Sequence, residues 1–331
     1  MGLFSVVRAA FVASILSPLA ALAGVSAEPS STVCEIPQME RSFNALEDIS
    51  SPSNSLLGSW LAWTIQLTTE QFKAQLLKAP FPVRSVQMLS LRRWGDQGAI
   101  VESDEFDLVM FKGTQDKLDA ILDADFVTVD GTRLGLPGRV THGFSVGFGA
   151  LWPQVTEALL KIRSGNKPIW LVGHSLGGVY SQYTAYRLLN DGFDVKAVYG
   201  FAAPVPGNAD FAAAYNAMLG DVTFVSSFGL DITPHVPPLT SNGSDFLASL
   251  PRVLRGVAGE ILRHQRYASV GRYFLQGDTR GDLVEVADRL DAESQYWRKV
   301  SASPIPLPFL FLKNRRLIQD HLIDNYLCSL R

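Results

Sequence analysis

Pro168-Ile169-Trp170-Leu171-Val172-Gly173-His174-Ser175-Leu176-Gly177-Gly178 is the stretch that decides the fold. Ile169 to Val172 is an apolar run of strand length, and Tyr180 to Leu189 has the make-up of a helix. Between them, Gly173-His174-Ser175-Leu176-Gly177 fits G-x-S-x-G, in which a serine sits on a strained turn from strand to helix. The bare pattern is weak because Gly and Ser are common, so its weight comes from the strand before it and the helix after it. The flanking glycines let backbones pass closely around a residue held in a sparsely populated conformation, where a Cβ would clash. Gly178, Ser181 and Ala185 let the same helix approach the sheet.

Outward from this turn, strand-length and helical runs alternate. Val195 to Phe201 reads as a strand, Phe211 to Met218 as a helix and Val222 to Phe228 as a further strand, which argues for βαβ units and a mostly parallel central sheet flanked by helices. Upstream, Val86 to Leu91, Gly98 to Glu102 and Phe106 to Phe111 are short apolar runs separated by turn residues, the pattern of an antiparallel meander. Before them lie a helical region including Thr69 to Lys78 and a polar separator, Ser50 to Ser55. The expected class is α/β, an α/β-hydrolase fold.

A serine hydroxyl is a poor nucleophile near neutral pH and needs a base, a carboxylate to orient that base, and donors for the oxyanion. On this fold the order is Ser, then Asp or Glu, then His, each partner on a loop after a later strand. Asp231 follows the run Val222 to Phe228 and precedes Ile232-Thr233-Pro234, at a strand's end. Taken alone, it reads equally well as a turn-forming Asp beside a proline. Of the five histidines, His142 and His174 come before or abut the serine, and a side chain next to Ser175 on a sharp elbow points away from it. His235 is only four residues beyond Asp231, and His264 ends an Arg-rich helical stretch as a solvated surface residue. His321 remains, late in the chain where the last partner belongs.

These segments together resemble the class 3, fungal-type lipases over roughly Gln97 to Cys328. Phe111-Lys112-Gly113-Thr114 is similar to that family's Phe-Arg-Gly-Thr/Ser, with Lys for Arg, and His142-Gly143-Phe144 to its His-x-Gly-Phe with one residue missing. Gly173 to Gly178 matches Gly-His-Ser-Leu-Gly-Gly without change. Phe201 to Asn208 resembles Phe-Gly-x-Pro-Arg-x-Gly-Asn without its usual Gly and Arg, Asp231 to Pro238 the acid loop, and His321 to Tyr326 the terminal His segment. Six segments in order are far more specific than one. The resemblance implies Ser175, Asp231 and His321 as catalytic triad, and an oxyanion hole from the backbone N–H groups of Thr114 and Leu176. Lys112, lacking the planar fork of Arg, departs from the family's pattern at that strand end.

The resemblance also implies a lid helix after the oxyanion residue. Gln115 to Asp125 occupies that place, with Leu118, Ile121 and Leu122 on an apolar face and Asp116, Asp119, Asp123 and Asp125 on an acidic one. An ordinary surface helix has the same pattern. Between Asp231 and His321 the chain is longer than in compact members. There Leu247, Leu250, Leu254, Val257 and Ile261 fall on one helical face near Arg252, Arg255, Arg263 and Arg266, a pattern open both to core packing and to an anionic membrane surface. Ile305 to Leu312 is apolar and short.

With 47% apolar and 18% charged residues, the chain has the composition of a globular protein. A net charge of −3 gives no footprint for nucleic acid. Residues 1–27, with Arg8 and the apolar stretch from Ala9 through Ala23, read as a secretory signal peptide, with cleavage expected after Ala27. A retained anchor is the alternative, disfavoured by Pro18. Residues 28–331 are expected to form one lipase domain, secreted, or periplasmic in a Gram-negative bacterium. Cys34 and Cys328 are the only cysteines, and export permits a disulfide between them; two buried thiols are the alternative. No metal or organic cofactor is expected, and no obligate protein partner is evident. The expected partner is a lipid or ester substrate, at an oil-water or membrane surface, most directly a triacylglycerol. A phospholipid A1-type ester, a feruloyl-type ester and non-catalytic lipid binding are the alternatives.

Overall fold

Alternation of side chains along each strand gives the central sheet two buried faces. In the computed structural model, which describes residues 48–91, 95–113, 126–162, 164–277, 281–302 and 316–330, twelve strands are found. They are β1 (Val83–Leu91), β2 (Gly95–Ser103), β3 (Asp107–Phe111), β4 (Thr128–Asp130), β5 (Arg139–Thr141), β6 (Ile169–His174), β7 (Val195–Phe201), β8 (Gly207–Asn208), β9 (Thr223–Phe228), β10 (Tyr267–Ala268), β11 (Arg272–Gln276) and β12 (Leu283–Val286). The main sheet runs β1-β2-β3-β6-β7-β9-β11-β12, parallel from β3 through β11 and antiparallel at both ends. The expected meander is β1 to β3. Four short strands form a second sheet, β10-β8-β5-β4.

On β3, Leu108 and Met110 face one side, Val109 and Phe111 the other, and all four are fully buried. Such double burial is what parallel strands covered by helices on both faces require. One face packs under α1 (Pro52–Thr64), through Leu57, Trp60 and Leu61. The helix α2 (Thr69–Leu76) follows it, opened by a capping box between Thr68 and Gln71. The other face packs under α3 (His142–Ile162) and α4 (Leu176–Asn190), with α5 (Ala209–Leu219) beyond them.

Two expectations need correction. Ser50 to Ser55 is not a separator, because Ser51 caps α1 by accepting from the Asn54 N–H at 3.2 Å and Pro52 fits the first turn. The helical face through Leu247 and Ile261 is broken at Pro251 into α6 (Gly243–Ser249) and α7 (Arg252–Gln265). Leu250 at the break is buried, and Ala258 and Leu262 turn α7 toward the core, while Val253 is 83% exposed. These helices, α8 (Arg289–Ser301) and the loop after β9 share one apolar cluster. The chain then passes through α9 (Arg316–Gln319) and α10 (Ile323–Ser329).

Residues 1–47, Thr114, the expected lid helix with Leu118, Ile121 and Leu122, and the run from Ile305 to Leu312 lie outside the described residues. Cys328 is on α10, and Cys34 lies outside as well. Among the described residues, no helix is long and apolar enough to cross a membrane.

Candidate active site

Ser175 stands between the end of β6 and the first residue of α4 with φ 58°, the left-handed region that a serine rarely occupies. The space around it is enforced by glycine. A Cβ on Gly173 would lie 2.1 Å from the Gly177 carbonyl oxygen, and one on Gly177 would lie 2.4 Å from the Phe111 carbonyl oxygen. The turn therefore closes only with glycine on both flanks. Backbone strain of this kind persists where surrounding structure over-determines it, most often at functional sites.

The structure brings Ser175, His321 and Asp231 into one line. His321 Nε2 lies 3.0 Å from Ser175 Oγ, and His321 Nδ1 lies 2.9 Å and 3.2 Å from the two carboxylate oxygens of Asp231. Asp231 sits three residues past β9 and is fully buried, and His321 lies between α9 and α10. All three thus gather beyond the carboxyl ends of parallel strands, where open α/β sheets bind ligands. Burial pushes the Asp231 carboxyl up, but His321, the Tyr326 hydroxyl and the Thr233 N–H outweigh it and hold the group below its ordinary value. The Tyr326 hydroxyl donates to Asp231 Oδ2 at 2.6 Å, and the Thr233 N–H donates to Oδ1 at 2.8 Å. An ionised Asp231 thus orients an imidazole whose far nitrogen faces the serine, the arrangement that makes a hydroxyl nucleophilic.

Several neighbours were missed as site residues in the sequence. Asp320 accepts from the Leu230 N–H at 2.8 Å and pairs with Arg316 at 3.2 Å, tying the histidine segment to the acid loop. Tyr326 has a second task, accepting from the Phe228 N–H at 3.1 Å. His174 donates from Nε2 to the His321 carbonyl at 2.8 Å. Burial first, and His321 second, lower the His174 pKa to about 3, so its ring is neutral. None of these shows a periodicity; the only sequence signal was adjacency to an already chosen residue.

The other histidines fall where the elimination put them. His264 is exposed on α7 beside Glu260, and His142 opens α3. His235 is buried on the acid loop and turned to Glu293 of α8.

Leu176 opens α4, so its N–H is at the helix N-terminus directly after the serine. Thr114 is not described, but Gly113 passes so close that an added Cβ would lie 3.2 Å from Ser175 Cβ. The Lys112 ammonium donates to the Leu67 carbonyl at 3.0 Å, fastening that strand end to the segment after α1. Among the described residues, no group of three or more His, Cys, Asp or Glu side chains is disposed to hold a metal ion.

Residues 108–241 match the family profile described as lipase (class 3). This segment belongs to the class 3 lipase family. A lipase of Caenorhabditis elegans, ZK262.3, is 30% identical over 146 residues, 42% of this chain and 41% of that protein. The match thus spans about two fifths of that relative's length. A structure from a family of fungal lipases superposes with a TM-score of 0.56 at 16% identity, covering 83% of this chain and 99% of its own. The native Rhizomucor miehei lipase propeptide complex gives 0.54 at 16% identity, covering 85% and 86%. At such identities the likeness speaks for the fold, which is that of the α/β-hydrolase lipases.

Proposed function

We propose that the protein is a secreted serine ester hydrolase, a lipase acting on triacylglycerols. The observation that carries this reading is the continuous hydrogen-bonded line from Ser175 Oγ through His321 to Asp231, built on a strained elbow inside a class 3 lipase segment. In the proposed cycle His321 Nε2 takes the hydroxyl proton as Ser175 Oγ attacks the ester carbonyl. The tetrahedral oxyanion is held by the N–H groups of Leu176 and Thr114. As it collapses, the bond to the alkoxy oxygen breaks and His321 returns the proton to the leaving alcohol, leaving an acyl-serine. Water, deprotonated by the same histidine, attacks that ester, and the fatty acid leaves as Ser175 regains its proton.

Two further readings accompany this. The first 27 residues act as a signal peptide, and Cys34 pairs with Cys328 after export. Reducing and non-reducing mass analysis of the secreted protein checks both: the expected mass begins at Glu28 and carries one disulfide.

The deciding experiment measures hydrolysis of p-nitrophenyl esters from acetate to palmitate and of emulsified triacylglycerol, with Ser175→Ala and His321→Ala in parallel. The expected outcome is activity rising toward long chains and falling at least roughly a thousandfold in both variants while they stay folded. An optimum at acetate would make it a short-chain esterase, and a preference for the sn-1 ester of phospholipids would make it a phospholipase A1. A wild type inert toward all of these, or an undiminished Ser175→Ala, overturns the catalytic reading in favour of lipid binding.

A further inference from the structure

Behind the acid of the triad lies a second set of buried charged groups that the ester chemistry does not use. Glu293 on α8 is fully buried and His235 is 3% exposed. The Glu293 carboxylate accepts from His235 Nδ1 at 2.7 Å, from Trp297 Nε1 at 2.6 Å and from Arg289 Nη2 at 3.0 Å. Arg289 also donates to the Pro234 carbonyl at 2.9 Å, and its guanidinium lies 3.6 Å from the ring centre of Tyr273. Tyr296, from the same helix, stacks on His235 with centroids 3.6 Å apart and planes 6° off parallel, and donates to the Leu230 carbonyl at 3.3 Å. One helix thus grips the acid loop at Leu230, before Asp231, and at Pro234 and His235, after it.

Fastening a helix to a loop does not need this. Replacing a buried ion pair by well-packed apolar side chains is often neutral or stabilising, because the charges must be desolvated. An ion pair kept at this place instead supplies fixed geometry and fixed charge. The charge reaches the triad's surroundings: Asp231 and Glu293 both act on the phenols of Tyr273 and Tyr296, and Asp320 acts on Tyr296 as well.

We propose that Arg289 and Glu293 of α8 are positioning residues for Asp231, and that the balance of charge between them sets the acid limb of the reaction's pH profile. This rests on the catalytic reading above. The titratable and charged groups facing the pair are His235 on the acid loop, Tyr273 on β11 and Tyr296 on α8. Asp231 stands next, with His321, Tyr326, His174 and the Asp320–Arg316 pair around it.

Signs follow from charge. Glu293→Gln leaves Arg289 unbalanced, which disfavours any further positive charge in the site, so the acid limb of kcat/KM moves to lower pH. Arg289→Gln leaves Glu293 unbalanced and moves it to higher pH. The second shift is smaller, because Arg289 no longer opposes protonation of His235, which takes up part of the change. The expected shifts are roughly half a pH unit and less, the scale of one unbalanced charge acting across a protein interior. Plateau kcat/KM should fall by roughly threefold to tenfold as the loop loosens.

The experiment records pH profiles of kcat/KM on a soluble p-nitrophenyl ester for wild type, Glu293→Gln, Arg289→Gln and Arg289→Lys. A fluorophosphonate label counts competent Ser175 sites, and thermal unfolding is followed in parallel. Opposed shifts in the two charge-removing variants, with the limb restored by Arg289→Lys, support the proposal. Unmoved limbs, shifts in the same direction, or activity losses matched by losses of labelled sites overturn it and leave α8 as packing alone. A wild type that does not label at Ser175 removes the catalytic reading, and this inference with it.

Discussion

The nucleophile and the acid of the site are held by opposite means. Around Ser175 the constraint is absence of atoms: Gly173, Gly177 and Gly178 each stand where a Cβ would lie within 2.6 Å of a neighbouring atom. Around Asp231 it is presence of donors, from Thr233, His321 and Tyr326, with Leu230 tied to Asp320 and Tyr296. The first arrangement is local, since six consecutive residues meet strand ends already in place. The second is assembled across some ninety positions of sequence, from elements that must each be docked before the carboxylate is fixed. Steric exclusion tolerates almost no substitution, whereas a shared set of hydrogen bonds degrades by steps.

That contrast predicts its largest effect at Gly177. A Cβ there meets the carbonyl oxygens of Phe111 and Lys112 at 2.4 Å and 2.7 Å, both backbone atoms with no rotamer to yield. Gly177→Ala should lower kcat/KM by at least about a hundredfold, since misplacement of a reacting group by about 1 Å costs this much. The melting temperature should fall as overpacking strains the β3 end. Near-normal activity and stability in this variant would break the comparison, because the elbow would then have slack that its geometry denies.

On the acid side the steps are smaller. Tyr326→Phe removes one of the donors to Asp231 and leaves the Phe228 N–H without its acceptor, but keeps the ring packed against Phe201 and Phe228. A hydrogen bond to a charged group contributes roughly 1.5–3 kcal/mol, so kcat/KM should fall roughly tenfold to a hundredfold with some loss of stability. A loss as deep as that of Ser175→Ala would show that the acid, too, hangs on a single contact. Steady-state kinetics with an active-site count distinguishes the two.

What could be read in the sequence follows the same division. Contiguous patterns were legible: the elbow between β6 and α4, the meander, and strand β7 with its bounds Val195 to Phe201. The acid and base could be ranked by chain order alone, and the resemblance to class 3 lipases singled out His321. The docking of α8 on the acid loop was not legible, because Arg289, Glu293 and Tyr296 look like the polar face of a surface helix until their partners are known. Ser51 and Pro52 look in the sequence like part of a polar separator, although they hold the capping chemistry that starts α1. Pro251 ended an apparent helical face because the proline ring favours extended backbone just before it.

His174 belongs to both sides, since it ends the nucleophile's strand and donates to the carbonyl of His321, and it predicts the smallest effect. Buried and held neutral with a pKa of about 3, it binds no proton in the folded protein near neutral pH, whereas in the unfolded chain it titrates near 6.5. Below that value the unfolded state therefore holds more protons, and stability must fall as pH falls, by at most about 1.4 kcal/mol per pH unit for this one group. Asp231 is shifted in the same direction, but its window lies lower: its contribution is complete above the ordinary carboxylate range, so it adds little slope above about pH 5. Urea unfolding between about pH 5 and 7 should show wild type losing stability more steeply than His174→Asn, with the two curves converging as the solution is acidified. Parallel curves would mean that the histidine is solvated in the native protein, and the bond from β6 to the base would then not join the two halves of the site.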